Sequence, residues 1–308
     1  MNLEKKYHAK LMLAGEYGVI LGSEAITAPL EMFHAQLAHR KAAPPGNEEK
    51  ITASVNSIRD LITYIQSLPK NSFYTTPDTG KFEEVLKNGL YIDSTIPGGY
   101  GIGSSGAVSA LFYDQFFRGA GRLNLKQKRK DLSTIESFFH GKSSGVDPMT
   151  CYTGTPLHFL PDGEIREVET NPLQPGQGYR FFLLDSGVLL STGPLVKVFM
   201  EKMRDPLFGE IIRGDYFNLI SKFIGAITGR SAADPALIFR AISDLQWNHF
   251  REMIPEQMEE PWIDGQVSNT YYLKLNGSGG GFMLGIAHQD SMEAVEEMLE
   301  KHSIRWLG

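Results

Sequence analysis

A chain of 308 residues with 42% hydrophobic and 21% charged side chains can build two modest domains or one large one, and nothing in its composition forces disorder. Its net charge of −6 argues against the basic face of a nucleic-acid-binding protein, so no nucleic-acid partner is expected. A single cysteine, Cys151, leaves no intrachain disulfide to form. No stretch reaches the roughly 20 apolar residues that cross a bilayer, and the first residues lack the apolar core of a signal peptide, so a cytoplasmic protein with no membrane partner is expected.

Residues 10–20 read as an apolar strand or strand pair interrupted by Gly15-Glu16-Tyr17-Gly18. Phe33, Ala35, Leu37 and His39 fall on one face of an alternating run, the period of a strand. Pro44-Pro45-Gly46 makes a turn, and Val55, Ile58, Ile62, Ile65 and Leu68 then recur at helical spacing over residues 51–68. Residues 91–96 are a β-rich run that leads into a glycine-rich segment from Pro97 to Gly106. A helix is expected to open at Ser104 or Ser105 and to end before Gly119. Lys126, Lys128, Arg129 and Lys130 read as a solvated stretch ahead of a helix over residues 131–140. The cluster Pro172, Pro175, Gly176 and Gly178 marks a domain boundary, which gives expected domains 1–175 and 176–308. Beyond it, residues 180–185 read as a strand and helices fill residues 195–249. Residues 271–275 and 282–286 are strands around a glycine loop, and Met292, Val295 and Leu299 mark a last helix. The element mix is α+β.

The sharpest chemical signal is Pro97-Gly-Gly-Tyr-Gly-Ile-Gly-Ser-Ser-Gly-Ala107. Glycines let a backbone turn and come close to a ligand, and the first N–H groups of the helix that follows have no intrahelical partner. Together with the helix dipole they form a site for phosphate. The Walker pattern is absent, because no Gly-Lys-Ser/Thr follows, and Gly99, Gly101 and Ser104 break the dinucleotide-binding spacing. Asp147-Pro148 reads locally as a helix start with Asp as its cap and Pro at the first position. Cys151 has no activating His or Lys beside it in sequence and reads as a small buried residue.

The glycine loop has company. Ala9-Lys10-Leu-Met-Leu-Ala-Gly15-Glu16-Tyr17-Gly18 precedes it, Glu136-Ser-Phe-Phe-His140-Gly-Lys-Ser-Ser144-Gly145-Val-Asp147 follows, and Leu273-Lys274-Leu-Asn276-Gly277-Ser278-Gly279-Gly280-Gly281 lies near the end. These four segments, in this order, resemble the GHMP kinases, the family of galactokinase, homoserine kinase, mevalonate kinase and phosphomevalonate kinase. The resemblance covers nearly the whole chain, with Ile102 for the family's Leu and Gly106 for its Ala. His140–Asp147 resembles the mevalonate kinase branch at every fixed position. Glu16-Tyr17, where that branch more often has Glu-His, is similar to the phosphomevalonate kinases, and His8-Ala9 stands before Lys10 in place of Pro-Gly.

The resemblance implies an α+β, two-domain GHMP kinase fold. Its N-terminal half would be like ribosomal protein S5 domain 2, its C-terminal half ferredoxin-like, with the active site in the cleft between them. It implies transfer of the terminal phosphate of ATP, with Mg2+, to the hydroxyl of a small-molecule alcohol, mevalonate foremost. Asp147 would be the catalytic carboxylate with Lys10 beside it, and Ser105 and Glu136 the metal ligands, Ser104 being undistinguished from Ser105. Pro97, Gly99, Gly101, Ile102, Gly103, Ser104, Ser105 and Gly106 would bind ATP together with Gly277, Ser278, Gly279 and Gly280. Glu16, Tyr17, Ser144, Gly145, Ser191 and Thr192 would line the acceptor site. Phosphomevalonate kinase, a diphosphomevalonate decarboxylase of the same fold and a non-catalytic ligand sensor are the rival readings, and a homodimer is an open expectation.

Overall fold

The structure is a computed structural model that describes residues 1–308, the side chain of Ala42 apart. Its contacts divide the chain into two interleaved units. One holds Met1–Lys10, Pro29–Pro97 and Gly103–Thr155; the other holds Leu11–Ala28, Gly98–Ile102 and Pro156–Gly308. Two strands, β1 (Tyr7–Ala14) and β2 (Ala25–His39), contribute to both.

In the first unit, α1 (Glu48–Ser67) buries Ile51, Val55, Ile58, Leu61, Ile62 and Ile65 along one stripe, the apolar period read from the sequence. After β3 (Thr76–Pro77) and α2 (Thr79–Lys87), β4 (Leu90–Ser94) pairs antiparallel with residues 35–39 of β2 and receives that stripe. Ser54 locks the two together: its hydroxyl donates to the Ile92 carbonyl at 3.1 Å and accepts from the Ile92 N–H at 2.8 Å. The helix α3 (Ser104–Phe116) is buried nearly all round, as a central helix must be, and β5 (Phe117–Arg118) ends it. It packs against α4 (Leu125–His140) and α5 (Val146–Thr153), which also pack on each other. Two sequence expectations change here. The basic run at Lys126–Lys130 lies inside α4, because Asn124 and Gln127 form a capping box that starts the helix earlier. Gly145, at φ 72°, takes the cap position of α5, so Asp147 stands inside the first turn and no side chain caps that end.

In the second unit, β6 (Leu157–Phe159) pairs with residues 25–27 of β2 and β7 (Ile165–Glu167) pairs with β6. The chain then forms β8 (Tyr179–Asp185), α6 (Thr192–Lys202), α7 (Pro206–Ile211), a π-helical turn at Ile212–Tyr216, α8 (Phe217–Ile227), α9 (Pro235–His249) and α10 (Glu259–Ser268). It closes with β9 (Tyr271–Leu275), β10 (Phe282–His288), α11 (Met292–Met298) and β11 (Ile304–Trp306). The strands order as β11-β8-β10-β9, all antiparallel, with a helical connection after β8 and another after β10. That is the split β-α-β arrangement of a ferredoxin-like layer, as the resemblance implied. Phe181, Phe182, Leu183 and Leu184 of β8 are fully buried, and Phe181 meets Phe223 and Phe239. Among the described residues no helix is long and apolar enough to cross a membrane.

Candidate active site

Lys10 sits in β1 with its side chain only 1% exposed, and a cation so enclosed needs a partner. It has one in Asp147, whose Oδ2 lies 3.1 Å from Nζ while 30% of the side chain remains accessible. The approach depends on Gly103, the cap of α3, which adopts φ 77°. A Cβ there would stand 2.9 Å from Cγ of Lys10, so any larger residue displaces the lysine.

Glu136, on α4, is buried beside this pair. Its carboxylate accepts from Ser105 Oγ at 3.2 Å and from Ser143 Oγ. Burial, and then the negative charge of Asp147, push the Glu136 carboxyl up to about 8, although both serines and Lys10 favour its ionised form. Were both carboxyls ionised, the single Lys10 ammonium would leave a deficit of positive charge, which adds to burial in holding Glu136 protonated. Ser105 also lies 2.9 Å from Nε2 of His140, whose pKa burial lowers, so the last residue of α4 touches the site as well as ending the helix. Geometry separates the two serines that the sequence left equivalent: Ser105 faces Glu136. At the start of α3 no side chain caps the helix, so its leading N–H groups remain donors for a ligand.

Gly145 and Ser144 form the turn into α5. Arg129 Nε donates to the Ser144 carbonyl at 2.9 Å and the Gly145 N–H donates to Ser143 Oγ at 2.9 Å, so these two residues brace Asp147 from behind. Pro97 is half-buried at the end of the β4 segment, and Ile102 is buried.

The second unit gathers the other glycine segments. Gly101, at φ 71°, lies so close to the last loop that a Cβ on it would stand 2.5 Å from the Asn276 carbonyl oxygen. Gly277 in turn faces the Gly101 carbonyl, and Gly281 rests on the Tyr100 backbone. Gly99 and Gly280 both abut Leu190. Residues 98–102 and 276–281 therefore approach each other backbone to backbone at their glycines. Asn276 is fully buried; its Oδ1 accepts from the Met12 N–H at 3.4 Å.

Glu16 faces inward to Lys274, both essentially inaccessible, and Lys274 also donates to the carbonyls of Met12 at 3.3 Å and Leu275 at 2.7 Å. Tyr216 Oη donates to the Glu16 carbonyl at 3.2 Å and accepts from Gln246 Nε2 at 3.0 Å; Oε1 of Gln246 accepts from the Leu275 N–H at 2.8 Å. Tyr17 Oη donates to the Ser278 carbonyl at 2.5 Å, and Thr192 and Ser278 join their hydroxyls at 3.1 Å. Ser191 is exposed as the cap residue of α6. The sequence reading missed Ser143, Lys274, Tyr216 and Gln246. Ser143 and Lys274 stood inside the quoted motifs; the other two lie in plain helical sequence with nothing to mark them.

In the first unit an Asp–Lys pair thus lies beside a buried Glu at the uncapped start of α3. Residues 73–155 match the GHMP kinases N terminal domain. The mevalonate kinase of Thermococcus onnurineus is 30% identical over 174 residues, 49% of this chain and 49% of that one, so the matched stretch spans about half the length of the curated relative. A crystal structure of L. major mevalonate kinase in complex with R-mevalonate superposes with a TM-score of 0.65 at 17% identity, over 96% of this chain and 91% of the other. The Streptococcus pneumoniae phosphomevalonate kinase gives 0.65 at 14% identity, over 99% and 97%. Residues 73–155 thus resemble the GHMP kinases N terminal domain, and the fold of the chain is that of the mevalonate kinase and phosphomevalonate kinase structures.

Proposed function

We propose that the chain is an ATP-dependent kinase that phosphorylates the hydroxyl of a small alcohol, with mevalonate as the acceptor and 5-phosphomevalonate and ADP as products. The observation that carries the reading is the Lys10–Asp147 pair at 3.1 Å beside buried Glu136. Asp147 orients the acceptor hydroxyl and takes its proton as the oxygen bonds to the γ-phosphorus and the bond to the ADP oxygen breaks. Lys10 keeps Asp147 ionised and offsets the charge that develops on the transferring group. The helix N–H groups behind Gly103 supply donors for phosphate, and the glycine segments of the second unit at residues 98–102 and 276–281 are assigned to ATP on the resemblance.

Mg2+ suits the donor set. It takes oxygen ligands, often only one or two from protein, and Glu136 with Ser105 offers a carboxylate and a hydroxyl where positive charge is lacking. When bound it would neutralise phosphate charge. The reading extends to a cytoplasmic enzyme of domains 1–175 and 176–308, and sedimentation equilibrium decides between monomer and homodimer.

A coupled ADP-release assay with mevalonate, 5-phosphomevalonate, homoserine and galactose tests the activity, and Asp147→Asn should lower kcat by about a thousandfold with ATP binding retained. Near-normal turnover in that variant removes the role of Asp147; activity on a sugar or homoserine alone removes the acceptor. Tyr17, in place of the branch's more usual His, favours 5-phosphomevalonate as the second reading, and the same screen separates the two.

A further inference from the structure

Tyr17 was expected in the acceptor site, yet its surroundings point elsewhere. Its backbone adopts φ 58° and ψ −43°, a conformation that a bulky residue keeps only where the fold over-determines it. Three contacts do so. The ring is buried with its centroid 4.8 Å from that of Phe199 and 5.4 Å from that of Phe250. The hydroxyl donates to the Ser278 carbonyl at 2.5 Å. The preceding residue, Glu16, is clamped at its carboxylate by Lys274 and at its carbonyl by Tyr216.

Ser278 lies in the middle of the last glycine loop. The base of that loop is fixed where Lys274 and Gln246 seize the end of β9. Its far side rests by Gly281 on Tyr100. Between these anchors the loop runs through Gly277, Gly279 and Gly280, each at positive φ and each without a side chain to pack. Glycine backbone of this kind has many conformations open to it and loses the most entropy on ordering. At its middle, Ser278 is gripped at its carbonyl by Tyr17 and at its hydroxyl by Thr192. The phenol is suited to a permanent grip: burial, and then the charge of Glu16, raise its pKa far above the ordinary tyrosine value, so it stays a donor.

We propose that Tyr17 is a positioning residue for the nucleotide loop, holding residues 277–281 in the conformation that meets the triphosphate, and not a contact to the acceptor alcohol. The inference rests on the proposed assignment of that loop to ATP. It also gives the Tyr-for-His exchange a different meaning, since the residue would govern loop order and not the choice of acceptor.

Tyr17→Phe is the test, because it removes the hydroxyl and keeps the ring between Phe199 and Phe250. Three quantities are read on the intact chain: the melting temperature, the Kd for MgADP by calorimetry, and the separate KM values for ATP and acceptor. The expected result is an unchanged melting temperature within a few degrees, a Kd for MgADP and a KM for ATP each raised about fivefold, the weight of one neutral hydrogen bond, and an acceptor KM within twofold of the parent. A merely structural role would not split the two KM values. An unchanged Kd for MgADP, or a rise confined to the acceptor KM, overturns the proposal. Calorimetry needs no turnover, so a parent protein that binds MgADP but phosphorylates none of the alcohols defeats the acceptor assignment while the Tyr17 comparison still gives its answer. A parent that does not bind MgADP sinks both.

Discussion

Replacing Gly106 with alanine sets two effects of opposite sign against each other at the position where the GHMP loop pattern itself has alanine. Gly106 is buried in the first turn of α3, where alanine gains about 1 kcal/mol of helix propensity over glycine. The added Cβ, however, would stand 3.0 Å from the Asp147 carbonyl carbon, 3.0 Å from the Pro148 nitrogen and 3.1 Å from the Asp147 Cβ. These are mostly backbone atoms of α5 and cannot swing aside like the tip of a side chain. Overpacking of this kind costs about 1–3 kcal/mol, so the net change is a loss of about 1 kcal/mol and a melting temperature lower by about 2–4 °C. To relieve the contact α5 must retreat a few tenths of an ångström, carrying the Asp147 carboxylate away from Lys10. A displacement of 1 Å at a reacting group costs about a hundredfold, so a third of that lowers kcat about fivefold. Thermal unfolding and ADP release at saturating ATP and acceptor measure both. A variant that melts higher and turns over at the parent rate would refute the reasoning, since α3 and α5 would then have slack between them.

Lys10→Met should lower kcat by about a hundredfold or more and leave the Kd for MgADP within twofold, read by ADP release and calorimetry. Lys274→Met strands a buried carboxylate and frees two buried carbonyls, so the urea midpoint should fall by the equivalent of about 3–5 kcal/mol, and the double variant Lys274→Met/Glu16→Leu should recover a large part of it. His158 is buried with Nε2 at 2.6 Å from Glu24, and burial lowers its pKa below the ordinary value. Below about pH 6.5 the unfolded chain therefore takes up a proton that the folded chain refuses, and stability falls with falling pH. Between pH 7.5 and 5.5 the parent should lose more of its urea midpoint than His158→Gln; equal losses would count against the assignment.

Legibility in the sequence followed the physical period of each element. The stripe Val55, Ile58, Ile62 and Ile65 announced α1, with Leu68 falling just past its end, because a helix packed on one side must repeat every three or four residues. The strand β2 showed only its second half, since residues 25–28 are buried without alternation and Pro29 breaks the pattern. β6, β7 and β11 span three residues each, too few for any period. Asp147-Pro148 misled because both residues suit a helix start, whereas the positive φ at Gly145 lets the helix begin two residues sooner and leaves the Asp147 side chain uncommitted to a cap. Lys10, Ser105, Glu136 and Asp147 were legible through the order of four motifs, and the structure places them around one point of the first unit. Lys274 and Glu16 were not paired in the sequence reading, because they lie 258 positions apart and nothing local tells a buried charge where its partner is.

The chain's lone thiol is sealed beside the Lys10, Glu136 and Asp147 cluster. Cys151 is buried with Sγ 3.9 Å from the Gly103 carbonyl, and burial followed by the Asp147 charge raises its pKa well above that of a free thiol. Alkylating reagents need a thiolate, so the native protein behaves toward them as though it had no sulfhydryl at all. A cysteine engineered on an exposed turn could thus carry a fluorophore at one place without first removing the natural one. The onset of labelling at Cys151 in the unaltered chain would in turn time the opening of its interior.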